Sequence, residues 1–213
     1  MYDPKTGTYY DGAEPFPKQR NYEFDSIYYL KYNSSKALYA IDKLKSNYQG
    51  SVEETCFFYH VYLDLLFESV GLIINRFKPQ RTAKTNLRNQ ASILEKEFDF
   101  SITNYPLLND KEFRNFIEHM DEKMSALIDV GNYYGTFNLI YSGMDEEIRK
   151  NLLDDKKKQN NILNLESMEY RIIFYDQSNV YTEKNIKILE LEKEIKTINE
   201  LSKKIWSLIN TKF

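Results

Sequence analysis

The chain has 213 residues, with 29 basic and 32 acidic side chains and a formal charge of −3. That balance argues against a protein that coats nucleic acid by bulk electrostatics, while leaving room for local positive potential. Hydrophobic residues make up 42% and aromatic ones 15%, which excludes general disorder and supports one core burying roughly 70% of the unfolded surface. Cys56 stands alone, so no intramolecular disulfide forms, and a reducing, cytoplasmic setting is expected.

Residues 1–24 contain Pro4, Pro15 and Pro17 with Gly7 and Gly12 among aromatics, and read as an irregular N-terminal arm. The start has neither a basic n-region nor an apolar h-region, so no secretory signal is expected. Residues 25–213 read as a single domain. From Asp25 to Leu44, Ile27, Leu30, Ala37, Leu38, Ile41 and Leu44 predict a first helix, with Asn33-Ser34-Ser35 as its weak point. Gly50-Ser51 punctuates, and Ser51 with Glu54 predicts a capping box.

The second helix, about Val52 to Phe77, is apolar on most sides. Its polar residues form a narrow stripe of His60, Asp64, Glu68, Gly71 and Asn75. Three readings stay open: a metal site on His60, Asp64 and Glu68; a cleft lining, to which Asp64 and Glu68 contribute beside Glu118; or a thin solvent or subunit boundary. No His-rich or Cys-rich ligand spacing supports the metal, and neither metal nor cofactor is expected. The charged residues in the stretch argue against a membrane span. Between Asn75 and Leu94 the chain carries Arg76, Lys78, Arg81, Lys84 and Arg88 and no acid, broken by Pro79. This local reversal of sign suits binding of a polyanionic substrate, or a solvated connector.

A third helix is predicted from Thr82 to Phe98 and a fourth from Asp110 to Val130. A short helix near Met144 to Lys150 and an exposed mixed-charge loop from Asp154 follow. Met168 to Tyr175 and Asn179 to Ile186 predict a strand pair from their Ile, Phe, Tyr, Val and Thr content. A last amphipathic helix runs from about Leu189 to Thr211. The expected fold is thus mainly α, a bundle of four to five helices with a small β-hairpin before the C-terminal helix. No P-loop, dinucleotide glycine pattern or Gly-x-Ser-x-Gly elbow is visible, which removes those enzyme classes.

The fourth helix carries the chemistry. Phe113, Phe116, Ile117, Met120, Met124, Leu127 and Ile128 form its apolar stripe, placing Arg114 and His119 off the core. At about 100° per residue these two stand roughly 140° apart, with Asn115 and Glu118 between them. A guanidinium can hold phosphate oxygens in bidentate fashion, and an amide one turn from an imidazole can fix its tautomer. The bland reading is an i,i+4 surface pair of Arg114 and Glu118 beside a solvated histidine.

Arg114-x4-His119 with Asn115 resembles the R-x4-6-H motif, with a polar residue after the arginine, of the HEPN superfamily. The run Arg114-Asn-Phe-Ile-Glu-His-Met-Asp-Glu-Lys is similar to the corresponding helix of bacterial members. The strand pair and final helix, from Tyr170 onwards, resemble the ending of some members. The resemblance implies a homodimer whose facing motif helices build a metal-independent endoribonuclease site in a toxin or defence setting, with RNA as substrate and an antitoxin or other protein as partner. It assigns His119 as general base on the ribose 2′-OH, Arg114 as phosphate ligand and Asn115 as positioning group. The alternatives are a non-catalytic HEPN-like binding scaffold, or a helical metalloprotein using His60, Asp64 and Glu68.

Overall fold

The computed structural model describes residues 2–3, 8–9, 18–79, 85–118, 137–154, 161–175 and 181–210. The protein is mainly helical. Its long elements are α1 (Lys18–Leu44), α2 (Val52–Phe77), α3 (Thr85–Phe98) and, at the C-terminal side, α7 (Ile188–Asn210). Between them lie α4 (Pro106–Asn109), α5 (Lys111–Glu118) and α6 (Glu146–Asp154). Strands β1 (Tyr2–Asp3) and β2 (Thr8–Tyr9) pair antiparallel within the arm. Strands β3 (Phe137–Ile140), β4 (Asn161–Asn164), β5 (Glu169–Tyr175) and β6 (Tyr181–Lys187) form one sheet in that order.

The core follows from the helical stripes. Ile27, Leu30, Ile41 and Leu44 of α1 meet Leu63, Leu66, Phe67, Val70 and Ile74 of α2, and Leu191, Ile195 and Ile198 of α7, in one buried cluster. Lys36 of α1 pairs with Glu68 of α2 at 2.8 Å, and Arg76 lies over the Tyr29 ring, so α1 and α2 run antiparallel. Contacts of α7 with α1 run from Lys45–Glu192 (2.5 Å), just past the end of α1, to Lys31–Trp206, again antiparallel. The Ser51–Glu54 capping box is present: Glu54 N donates to Ser51 Oγ and Ser51 N to Glu54 Oε2.

Helix α1 begins at Lys18, seven residues before the expected start, and passes straight through Asn33-Ser34-Ser35. Competition between short polar side chains and the helix backbone is what made that patch look weak. Here Asn33 Nδ2 donates to Tyr29 O and Ser34 Oγ to Leu30 O. Asn199 of α7 then donates to Ser34 Oγ (2.9 Å) and Ser35 Oγ (2.8 Å). The patch is a polar weld between two helices.

The sheet is larger than the expected hairpin. Residues β5 and β6 form that hairpin, but β4 adds antiparallel to β5, and β3 adds parallel to β4 across the α6 connection. Leu163, Tyr170, Ile172 and Ile186 join the main core, with Tyr170 against Phe67 of α2 at 5.4 Å. On the other face Ile140, Ile162 and Leu152 of α6 make a small second cluster with Met144. Arg171 fastens α6 to the sheet by donating to the carbonyls of Leu152 and Leu153 near the helix end.

Helix α2 is long and apolar enough to cross a membrane by length and composition. In the fold it lies against α1, α3 and α5, with Tyr59, Leu63, Leu66, Phe67, Ser69, Val70, Ile73, Ile74 and Phe77 buried.

Candidate phosphate pocket

Helix α5 starts at a side-chain cap. Asp110 Oδ1 accepts from Phe113 N at 2.6 Å, satisfying a first-turn donor. The preceding turn, α4, is capped from outside its own strand of chain. Pro106 has no N–H, and Glu194 of α7 takes the next two donors, Leu107 N at 2.8 Å and Leu108 N at 3.0 Å. On the sheet side Lys184 of β6 reaches Asp110 (3.3 Å) and Glu112 (3.4 Å). Phe113 and Phe116 are buried and Ile117 packs on the same core. Gly71 of α2 admits the motif helix closely, since a Cβ there would stand 3.1 Å from Ile117 Cγ2.

This packing turns Arg114 and Asn115 toward the C-terminal end of α2. Together with Phe77, Lys78, Pro79, Arg88 and Ala91 they line an open pocket of about 510 Å³. Two groups the sequence separates by some thirty residues, the motif helix and the basic connector, thus share one wall. Lys78 Nζ donates to Asn109 Oδ1 at 2.8 Å, a neutral acceptor. Burial, and next the charge of Arg114, lower the Lys78 pKa against a smaller opposing effect of Glu95. The Nε of Arg114 is buried without a hydrogen-bond partner, as is Oδ1 of Asn75. The acid beside Arg114 is Asp110. Burial lifts its carboxyl, but the Phe113 N–H, Lys184 and Arg114 outweigh this and hold it below the ordinary range. The wall thus carries two cations that repel each other, Lys78 and Arg114, and such a pair can share an anion with several acceptor oxygens.

The other expected site residues scatter. Arg76 stacks over Tyr29, with Cζ 4.0 Å from the ring centre, and donates to Gln90 Oε1, outside the pocket lining. Asp64 and Glu68 are exposed and do not line it; His60 lies 3.6 Å from Asp64 and stacks on Phe137, while Glu68 holds Lys36. No group of three metal-ligating side chains occurs among the described residues. Of the polar stripe, Gly71 approaches the motif helix, at Ile117. The positions of Arg81, Lys84 and His119 and the side chain of Glu118 lie outside the described residues. Asn109, which holds Lys78 without lining the cavity, carries no sequence signal beyond its place just before the motif helix.

Cys56 is half-buried and its thiol pKa is raised by burial, the reverse of what a thiolate nucleophile needs.

No protein-family model matches the chain, and neither a curated protein nor a solved structure matches it significantly.

Proposed function

We propose that the pocket binds RNA phosphate and that the protein is a metal-independent endoribonuclease of HEPN type. The observation that carries the reading is the meeting of Arg114 and Asn115 with Lys78 and Arg88 around one cavity. Arg114 would hold the scissile phosphate and offset charge developing on its oxygens, with Lys78 beside it. His119, the residue following the described end of α5, would take the 2′-OH proton. The 2′-oxygen then bonds to phosphorus, the bond to the 5′-oxygen breaks, and the departing 5′-oxygen is protonated. The products are a 2′,3′-cyclic phosphate and a 5′-hydroxyl. Because the nucleophile belongs to the RNA, this route asks for no metal ion, and DNA has no 2′-OH to enter it.

The resemblance adds a homodimer with two motif helices facing each other, a toxin or defence role in the cytoplasm, and an antitoxin or similar protein partner. A two-fold mate would bring its own arginine to the opposite shoulder of the helix, which one copy of Arg114 and His119, about 140° apart, cannot supply.

The test is cleavage of single-stranded RNA in excess EDTA, with the ends identified by mass spectrometry. Cyclic phosphate ends, lost in His119→Ala and Arg114→Ala, support the reading. Binding that is lost in Arg114→Ala without any cleavage by the native protein would leave a phosphate-binding module, and native protein that neither binds nor cuts RNA overturns the whole reading.

A further inference from the structure

Resting on the RNA reading above, we infer that Tyr28, Tyr32 and Trp206, at the end of the bundle beside the pocket, form a stacking platform for the bases of single-stranded RNA whose phosphates enter that pocket.

Three tyrosines near the middle of α1 stay open to solvent: Tyr28 is 44%, Tyr29 42% and Tyr32 54% exposed. They are arranged. Tyr28 and Tyr32, one turn apart, have nearly parallel rings, 12° between planes with centroids 6.2 Å apart. Tyr28 also meets Trp206 of α7 at 5.6 Å and Tyr29 edge-on at 6.0 Å. Exposed aromatic area gathered in one row marks a contact surface more often than a scatter of single rings does.

The row leads to the pocket through a chain of contacts. Tyr29 lies on the Arg76 guanidinium, Arg76 bonds to Gln90, and the residues flanking those two, Phe77 and Lys78 on α2 and Ala91 on α3, line the cavity. Cations accompany the rings: Lys31 Nζ stands 4.7 Å from the Trp206 ring centre, with Arg76 at the other end beside one acid, Asp25. Alternating π faces and cations suit a strand whose unpaired bases stack while its phosphates meet the charges, and every base has a face to offer. A duplex hides those faces inside its own stack.

Trp206 is the single tryptophan of the chain, so its emission reports this surface alone. The full chain is titrated with a 2′-O-methyl oligouridylate, which lacks the free 2′-OH and binds without turnover, and with a duplex of equal length. The expected result is quenching of Trp206 by the single strand and not by the duplex. Tyr28→Leu and Tyr32→Leu should each weaken single-strand binding about tenfold, with circular dichroism unchanged. Arg114→Ala should weaken binding but keep the quench at saturation. Single-strand binding that depends on Arg114 while Trp206 emission stays still and both tyrosine variants bind normally would overturn the platform and leave the phosphate reading standing. Loss of all binding by the native chain sinks the phosphate reading itself. An emission change that follows protein concentration without RNA would assign the surface to a second copy and overturn the inference.

Discussion

Replacing Glu194 by Gln tests how the motif helix is held. Helix α4 has a single turn and no side-chain cap of its own, so the two oxygens of Glu194 are its N-terminal partners, at 2.8 and 3.0 Å from Leu107 N and Leu108 N. Hydrogen bonds to a charged group contribute about 1.5–3 kcal/mol each. Gln keeps one oxygen but turns its NH₂ toward the second donor, so one bond is lost and one N–H is left facing another donor. The expected cost is about 2–3 kcal/mol, and at about 2–4 °C per kcal/mol for a chain of this size the melting midpoint should fall by roughly 4–12 °C. Urea denaturation followed by circular dichroism measures the first quantity and a thermal scan the second. Helix α4 runs directly into the Asp110 cap of α5, so RNA affinity should fall with stability. A variant within about 0.5 kcal/mol of the native chain would refute the role given to this carboxylate, because that is the scatter of a neutral surface substitution.

Asn199→Ala removes the donor that joins Ser34 Oγ, Ser35 Oγ and the Lys31 carbonyl, and should cost about 1–3 kcal/mol in chemical denaturation. Ser51→Ala breaks the capping box and should cost about 1 kcal/mol in the same assay, with α2 fraying first in hydrogen exchange. Burial lifts the Glu192 carboxyl, but its bonds and charges with Lys45 and Lys196 outweigh that and hold its pKa below the usual glutamate range, as those of Phe113 and Lys184 do for Asp110. Both groups bind fewer protons when folded, so their stabilisation is complete above the ordinary carboxylate pKa of about 4 and is lost as pH falls through the lowered values. The unfolding midpoint should be flat from neutral pH to about 5 and drop below about 4, and Glu192→Gln should flatten part of that drop.

The helical part of the fold was legible because one period repeats over long segments: Val52–Phe77 matches the expected second helix at both ends, and the final helix differs by one residue at each. Strands β3 and β4 were not legible. Each has four residues, and β4 buries Ile162 against α6 and Leu163 against the main core, so its two apolar residues sit side by side and show no alternation. At the site, the basic residues near Pro79 and the motif helix were both visible, but their meeting depends on the close approach at Gly71, which is a long-range packing fact. Arg76 illustrates the opposite failure. Its charge marked it as a substrate ligand, and nothing local announced that Tyr29, far earlier in the chain, would cover it.

The α1–α7 seam also sets a schedule for biosynthesis. Lys45 and its partner Glu192 are 147 positions apart, and a ribosome adding about 5–20 residues per second needs roughly 7–30 s to span that interval. During that time the sides of α1 that α7 covers, Asn33-Ser34-Ser35 among them, have no native mate. The nascent chain therefore passes through a long interval with an open half-bundle, in which chaperone capture competes with self-association.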